Sequence, residues 1–314
     1  MIGFRSEIGK GLKPMIDLQS QLTKNDQIVV CSHDAGGAEV LSSYIREHQI
    51  GARFLISGPA IPIFSRKFKL TPENTIDVLP QDFEILLSST GWQTDFEFKA
   101  MQLALLNGKR VIAVLDHWVS YQERFLRESS LINVPEILVF DQKAREIAKE
   151  IFPDVHIHLS ENFYLRDSKQ EYIFKNSQNL NDNSFDILFL CEPMASTENA
   201  NQTYGYDEYQ VLEYFFSVLK EKSCTKFKIL LRPHPSESLE KYISLINSDF
   251  IHVEINTHRT LAECIDRSEI IVGCNTMAML VALEIGKKVY SVVPPPMKST
   301  LQDSRIELLQ DWQP

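Results

Sequence analysis

The sequence has no stretch near the roughly 18 uninterrupted apolar residues that a membrane-spanning helix needs. Residues 1–20 also lack the apolar core of a secretory signal. Both absences predict a cytoplasmic protein. Cysteine is scarce: Cys31, Cys191, Cys224, Cys264 and Cys274 are odd in number, far apart and without a Cys-x-x-Cys pair. That spacing suggests neither a disulfide frame nor a zinc site and leaves small buried thiols. There is no excess of positive charge, and a net charge of -10 argues against a broad nucleic-acid surface. The G-x-G-x-x-G fingerprint is missing, as is an acidic residue ending the second strand candidate, so no NAD and no other cofactor is expected. No Asp-x-Asp ends a strand candidate, so no metal is expected either. The basic cluster Ser65-Arg66-Lys67-Phe68-Lys69 reads as a solvated loop. Its alternative is a contact with a phosphate or with acidic lipid, which would make the protein peripheral at the inner face of a membrane.

With 314 residues, 44% of them hydrophobic and 24% charged, the chain is a globular one long enough for two domains. Residues 14–24 read as a short amphipathic helical lead-in, with Met15, Leu18 and Leu22 on one face. From Gln27 short apolar runs alternate with helix-period segments. Strands are predicted over 27–32, 53–57, 83–88, 110–115, 136–140 and 155–159, with helices over 38–48, 93–107, 117–127 and 142–151. The polar tract from Arg166 to Ser184 marks a boundary, after which the alternation restarts. Strands are predicted over 185–191, 227–231, 250–255, 269–272 and 288–292, with helices over 206–220, 236–247, 261–267 and 276–285. The chain therefore divides into an N-terminal domain (1–165), a linker (166–184), a second domain (185–299) and a C-terminal helix (300–314). Strand and helix alternation of this kind means parallel strands with crossover helices. The fold class is α/β, with two Rossmann-like domains facing a cleft.

In open α/β sheets, ligands bind beyond the carboxyl ends of the strands. The first domain offers His33-Asp34-Ala35-Gly36-Gly37 there, then Ser89-Thr90-Gly91, then Asp116-His117-Trp118. The glycines would let a ligand approach backbone N–H groups at a helix start, or would simply form a tight turn. Asp34 has no evident structural partner in the sequence and could act as general base or nucleophile. His33, Gly36, Gly37, Thr90, Asp116 and His117 are further candidates for acceptor contact or for supporting the catalytic groups. Trp118, Tyr121 and Phe125, spaced by three and four, read as core.

The second domain offers Glu192, then Arg232-Pro233-His234-Pro235, then Gly273-Cys274-Asn275-Thr276. If Pro235 is the first helical residue, His234 is the N-cap and Glu237 completes the first turn. Arg232 and His234 would then stand at a strand end beside exposed backbone donors, a place to hold an anion. Thr276 opens the apolar helix Met277–Leu283, whose free N–H groups make a second anion site. Its plainer role is an N-cap.

These residues reach a recognisable pattern. The segment 185–295 resembles the donor-binding half of GT-B glycosyltransferases, through Arg232-Pro233-His234-Pro235 and the block Ile270–Thr276 with Ala282–Val289. A His-Pro motif followed by a Ser/Thr motif is similar to the CMP-sugar group: bacterial sialyltransferases, polysialyltransferases and Kdo transferases. The resemblance implies that Arg232, His234, Pro235, Asn275, Thr276 and Glu192 bind the donor, that Asp34 and His234 are catalytic, and that the activity is metal-independent. In this chain Asn275-Thr276 replaces the usual Ser/Thr pair, and Asp-Ala-Gly-Gly replaces adjacent acids with a glycine. Val281 stands where many UDP-sugar enzymes carry a ribose-binding Glu, which speaks against a UDP donor. The expected partners are a nucleotide-sugar donor and a glycan or small hydroxyl acceptor. The alternatives are a CDP-polyol phosphotransferase, a nucleotide-sugar hydrolase or epimerase, and a non-catalytic glycan- or nucleotide-binding module on the same scaffold.

Overall fold

The computed structural model describes Leu18, Leu22 and residues 27–91, 94–127, 130–176, 184–194, 205–222, 226–235, 237–243, 251–257, 259–301 and 303–314. The lead-in over 14–24 lies almost wholly outside them.

Two six-stranded sheets organise the chain. The first contains β1 (Ile28–Ser32), β2 (Arg53–Ile56), β3 (Ile85–Ser89), β4 (Arg110–Val114), β7 (Glu136–Val139) and β8 (His156–Leu159), in the order β2-β1-β3-β4-β7-β8. The second contains β9 (Phe185–Leu190), β10 (Phe227–Arg232), β11 (Ile251–Ile255), β12 (Ser268–Gly273), β13 (Lys288–Ser291) and β14 (Ile306–Leu308), in the order β11-β10-β9-β12-β13-β14. Every pairing within both sheets is parallel. Helices cover both faces of a parallel sheet, so central strands are apolar throughout rather than alternating. Ile28–Ser32 and Ile85–Ser89 are buried at every position, and Val30 pairs with Phe54 on one side and Leu87 on the other. The strand order reverses between β1 and β3 in the first sheet and between β9 and β12 in the second. Those switch points are where open α/β sheets place ligands.

Several expectations give way to tertiary packing. The helix expected over 117–127 is absent: Ser120 takes positive φ, and the chain bends through a 3₁₀ turn at Glu123–Phe125 into the short hairpin β5 (Leu126–Arg127) and β6 (Ser130–Leu131). Tyr121 and Phe125 are buried as expected, while the bend delivers the Arg124 guanidinium to the interior. The basic cluster is not a loop, because Ala60–Lys67 forms a helix. The Lys67 ammonium is drawn inward to Glu39, Ser42 and Ser43. Within the expected linker over 166–184, the residues up to Asn176 belong to the helix Phe163–Asn176, which packs against Ala35–Glu47 in the first domain and Met277–Ile285 in the second, and residues 177–183 lie outside the described set. Where a helix was expected over 236–247, the helical residues are Glu240–Ile243, and residues 244–250 lie outside the described set. The C-terminal helix over 300–314 is replaced by β14, which pairs with β13, and a 3₁₀ turn at Leu309–Asp311. Leu309 and Trp312, three apart, are buried, with Trp312 against Phe227 and Tyr290. Burying those two side chains on the sheet decides the conformation.

Candidate active site

The carboxyl ends of the two sheets look into a cleft of about 660 Å³, to which both domains contribute. Gly36, Glu39 and Arg66 line it from the first domain, Arg232, His234 and Thr276 from the second, and Tyr164 and Ser168 from the helix between them. Of the expected donor ligands, Arg232, His234, Pro235 and Thr276 reach this cleft, as does Val281.

On the first-domain side, Asp34 is the N-cap of Ala35–Glu47, and its Oδ2 accepts from Gly37 N at 3.1 Å. The structural partner that the sequence did not reveal is therefore its own helix. Gly36 permits close approach: a Cβ there would stand 2.5 Å from Asp116 Oδ2 and 3.3 Å from Asp34 Oδ2. Gly37 faces inward, where a Cβ would meet Ser89 Cβ at 2.7 Å. Asp116 Oδ1 accepts from Arg124 Nη1 at 2.6 Å, and the same nitrogen donates to Thr90 O at 2.8 Å and Thr90 Oγ1 at 3.0 Å. Thr90 Oγ1 in turn donates to Val114 O. Both members of the ion pair are almost wholly buried, and so are Thr90 and His117. Burial raises the Asp34 carboxyl above its ordinary range; the Asp116 charge adds to this, while the Gly37 N–H, His234 and Arg124 oppose it. Burial lowers His117 to about 4, so it is neutral at physiological pH. Besides Arg124, sequence reading missed Glu97, fully buried on Phe96–Leu106. Its Oε1 accepts from His33 N (2.8 Å), Asp34 N (3.1 Å) and Ser89 Oγ (3.0 Å). An acidic residue in a helix's first turn was the only signal of it.

On the second-domain side, His234 stands two residues beyond the end of β10. Its backbone is clamped reciprocally: His234 N donates to Glu237 Oε2 at 2.8 Å, and Glu237 N donates to His234 O at 2.9 Å. Pro235 lies in this turn rather than in a helix, so His234 is not a helix N-cap, and the turn is fixed by Glu237 instead. The buried Glu237 carboxylate also accepts from Tyr242 Oη at 2.7 Å and from Lys241. Burial lowers the His234 imidazole, while Asp34 and Glu237 raise it. Arg232 Nη1 donates to Arg259 O at 2.8 Å.

The start of Met277–Ile285 differs from the expected open anion site. Thr276 is its N-cap, accepting from Ala278 N at 3.3 Å. Glu192 is not a free ligand but already lies on the preceding amides, accepting from Cys274 N at 3.2 Å and Asn275 N at 2.7 Å. Burial pushes its carboxyl up to about 7 against the pull of those N–H groups. Asn275 is likewise committed inside its domain: Nδ2 donates to Tyr206 Oη, and Oδ1 accepts from Ser299 Oγ, Thr300 N and Thr300 Oγ1. Glu97 and Glu192 thus play matching parts, each placing the chain's own carboxylate on backbone amides at a switch point. Gly36 and Thr276, next to those two sites, both line the open cleft.

No protein-family model matches the sequence, and no curated protein matches it. Solved structures do. The chain is similar to the Methanocaldococcus jannaschii UDP-GlcNAc 2-epimerase in complex with UDP-GlcNAc and UDP, at 11% identity and a TM-score of 0.62, over 90% of this chain and 88% of that one. It is also similar to a Listeria monocytogenes protein assigned as a UDP-N-acetylglucosamine 2-epimerase, at 12% identity and a TM-score of 0.52, over 84% and 78% of the two chains. The likeness is one of fold: two Rossmann-like domains about a cleft, the GT-B layout.

Proposed function

We propose that the chain is a metal-independent glycosyltransferase that moves an acidic sugar, of the nonulosonate or Kdo type, from a CMP-sugar to a hydroxyl on a glycan or related acceptor. The observation that carries this reading is a single cleft lined by Arg232 and His234 from the second domain and by Ala35 and Gly36, the residues that follow Asp34, from the first. In the proposed reaction Asp34 takes the proton of the acceptor hydroxyl, the acceptor oxygen bonds to the anomeric carbon, and the bond from that carbon to the phosphate oxygen breaks. The electron pair leaves with CMP, whose phosphate is met by His234, Arg232 and the Thr276 hydroxyl. Val281 lines the cleft wall at the position where the resemblance puts a ribose-binding Glu in many UDP-sugar enzymes, which speaks against a UDP donor.

A second reading has its own support. Two carboxylates facing Gly36 opposite a histidine also suit elimination or epimerisation of a nucleotide sugar, and the similar epimerase crystallised with UDP-GlcNAc spans 90% of this chain. Incubation with CMP-sialic acid, CMP-Kdo and UDP-GlcNAc, with and without acceptor and EDTA, separates the two. Acceptor-dependent release of CMP that survives EDTA supports transfer. UDP release or a new sugar isomer from UDP-GlcNAc contradicts it. The variant His234→Ala loses about two to three orders of magnitude in turnover, the worth of one strong donor to a developing anion. Unchanged turnover in this variant removes His234 from the chemistry.

A further inference from the structure

Asp116 and Gly36 carry an arrangement that a general base alone does not require. Asp116 cannot swing away, because Arg124 is tied to its Oδ1 and to both oxygens of Thr90. Its other oxygen, Oδ2, points at Gly36, where any Cβ would stand 2.5 Å away. Asp34 Oδ2 lies 3.3 Å from the same point. The space a side chain would fill is what the two carboxylates share. We propose that Asp116 is a positioning residue for Asp34: pinned by Arg124, it presents a second carboxylate to the base through the gap left at Gly36. This inference rests on the reading of Asp34 as the base.

The arrangement answers a difficulty in that reading. A carboxylate that caps a helix and accepts from Gly37 N is a poor base, because the N–H and the helix dipole both stabilise its charge. A like charge in the same partly desolvated space works the other way and strengthens its hold on a proton. The charged and titratable groups that face Asp34 are Asp116 from the end of β4, Glu97 from Phe96–Leu106, Arg124 from the 3₁₀ turn, and His234 from the opposite domain. Of these charges Asp116 raises the proton affinity of Asp34, and His234 and Arg124 oppose it. In the transfer step Asp116 gains and loses no atom; the acceptor's proton goes to Asp34.

Two readouts on one variant test this. With ¹³C-labelled aspartate and the Asp34 signal assigned through Asp34→Asn, the carboxyl is titrated by NMR in the wild type and in Asp116→Asn without any donor. The acid limb of kcat/KM is measured alongside. Both midpoints should move to lower pH by about one unit in Asp116→Asn, and Asp116→Glu should restore part of the shift. An unmoved Asp34 midpoint in the folded variant overturns the proposal. If Asp116→Asn strands Arg124 and does not fold, Asp116→Asn combined with Arg124→Gln removes both charges. A smaller shift in the same direction is then expected, and no shift or an upward one overturns the proposal. A shifted NMR midpoint with an unmoved kinetic limb supports the coupling and overturns Asp34 as the base.

Discussion

Asp34 serves two purposes that substitution can separate. Its side chain caps Ala35–Glu47, and the proposed chemistry needs its charge. Asp34→Asn keeps an oxygen for Gly37 N and should hold stability within about 0.5 kcal/mol, while transfer falls by about a hundredfold or more. Asp34→Ala should lose the same activity and about 1 kcal/mol besides. Urea titration beside a rate assay checks both; if Asp34→Asn transfers normally, Asp34 is only a cap. Glu192 gives a prediction in pH. Its folded pKa of about 7 lies above the roughly 4.3 of an unfolded glutamate. The folded state therefore binds the proton more tightly, and the stability this contributes is present below about pH 4 and lost as pH rises through 7. Glu192→Gln keeps the acceptor and removes the titration. The wild type's stability relative to Glu192→Gln should therefore fall between pH 4 and pH 8 by at most about 3 kcal/mol. A difference that stays constant across that range contradicts the assignment.

At the scale of elements, the strands were legible because parallel strands buried on both faces are continuous apolar runs. The helix Gln142–Ile151 was legible by its apolar stripe, and Met277–Ile285 by being apolar nearly throughout. Less legible were elements shaped by partners distant in sequence. The apolar spacing of Trp118, Tyr121 and Phe125 suits a helix, but Arg124 between them is held by Asp116 and Thr90, and that pull is invisible in a local window. The C-terminal segment shows the same limit. Leu309 and Trp312 fit a helix face by spacing, yet they are buried from the start and the C-cap of a 3₁₀ turn that follows β14. Trp312→Ala should therefore cost about 3 to 5 kcal/mol, as for a core aromatic. A loss below about 1 kcal/mol in chemical denaturation would mean that the segment is not part of the core.

For the molecule as a whole, two successive runs of alternating strands and helices were enough to anticipate two Rossmann-like domains facing a cleft. The candidate site was legible in proportion to how directly each residue follows a strand. His234, Arg232 and Asp34 do so, and the structure brings them to one cleft or its edge. Glu97 and Arg124 escaped, because what marks them is the set of buried amides and carboxylates they meet in three dimensions. Glu192 and Asn275 also stand at strand ends, and their side chains hydrogen-bond to groups of their own domain. Both domains line the cleft, so a nucleotide that fills it touches both walls. A crystal structure with CMP bound tests this most directly. The account predicts the CMP phosphate between His234 and Thr276, with Asp34 facing it across the cleft; CMP bound outside that cleft, or none bound at millimolar concentration, contradicts it.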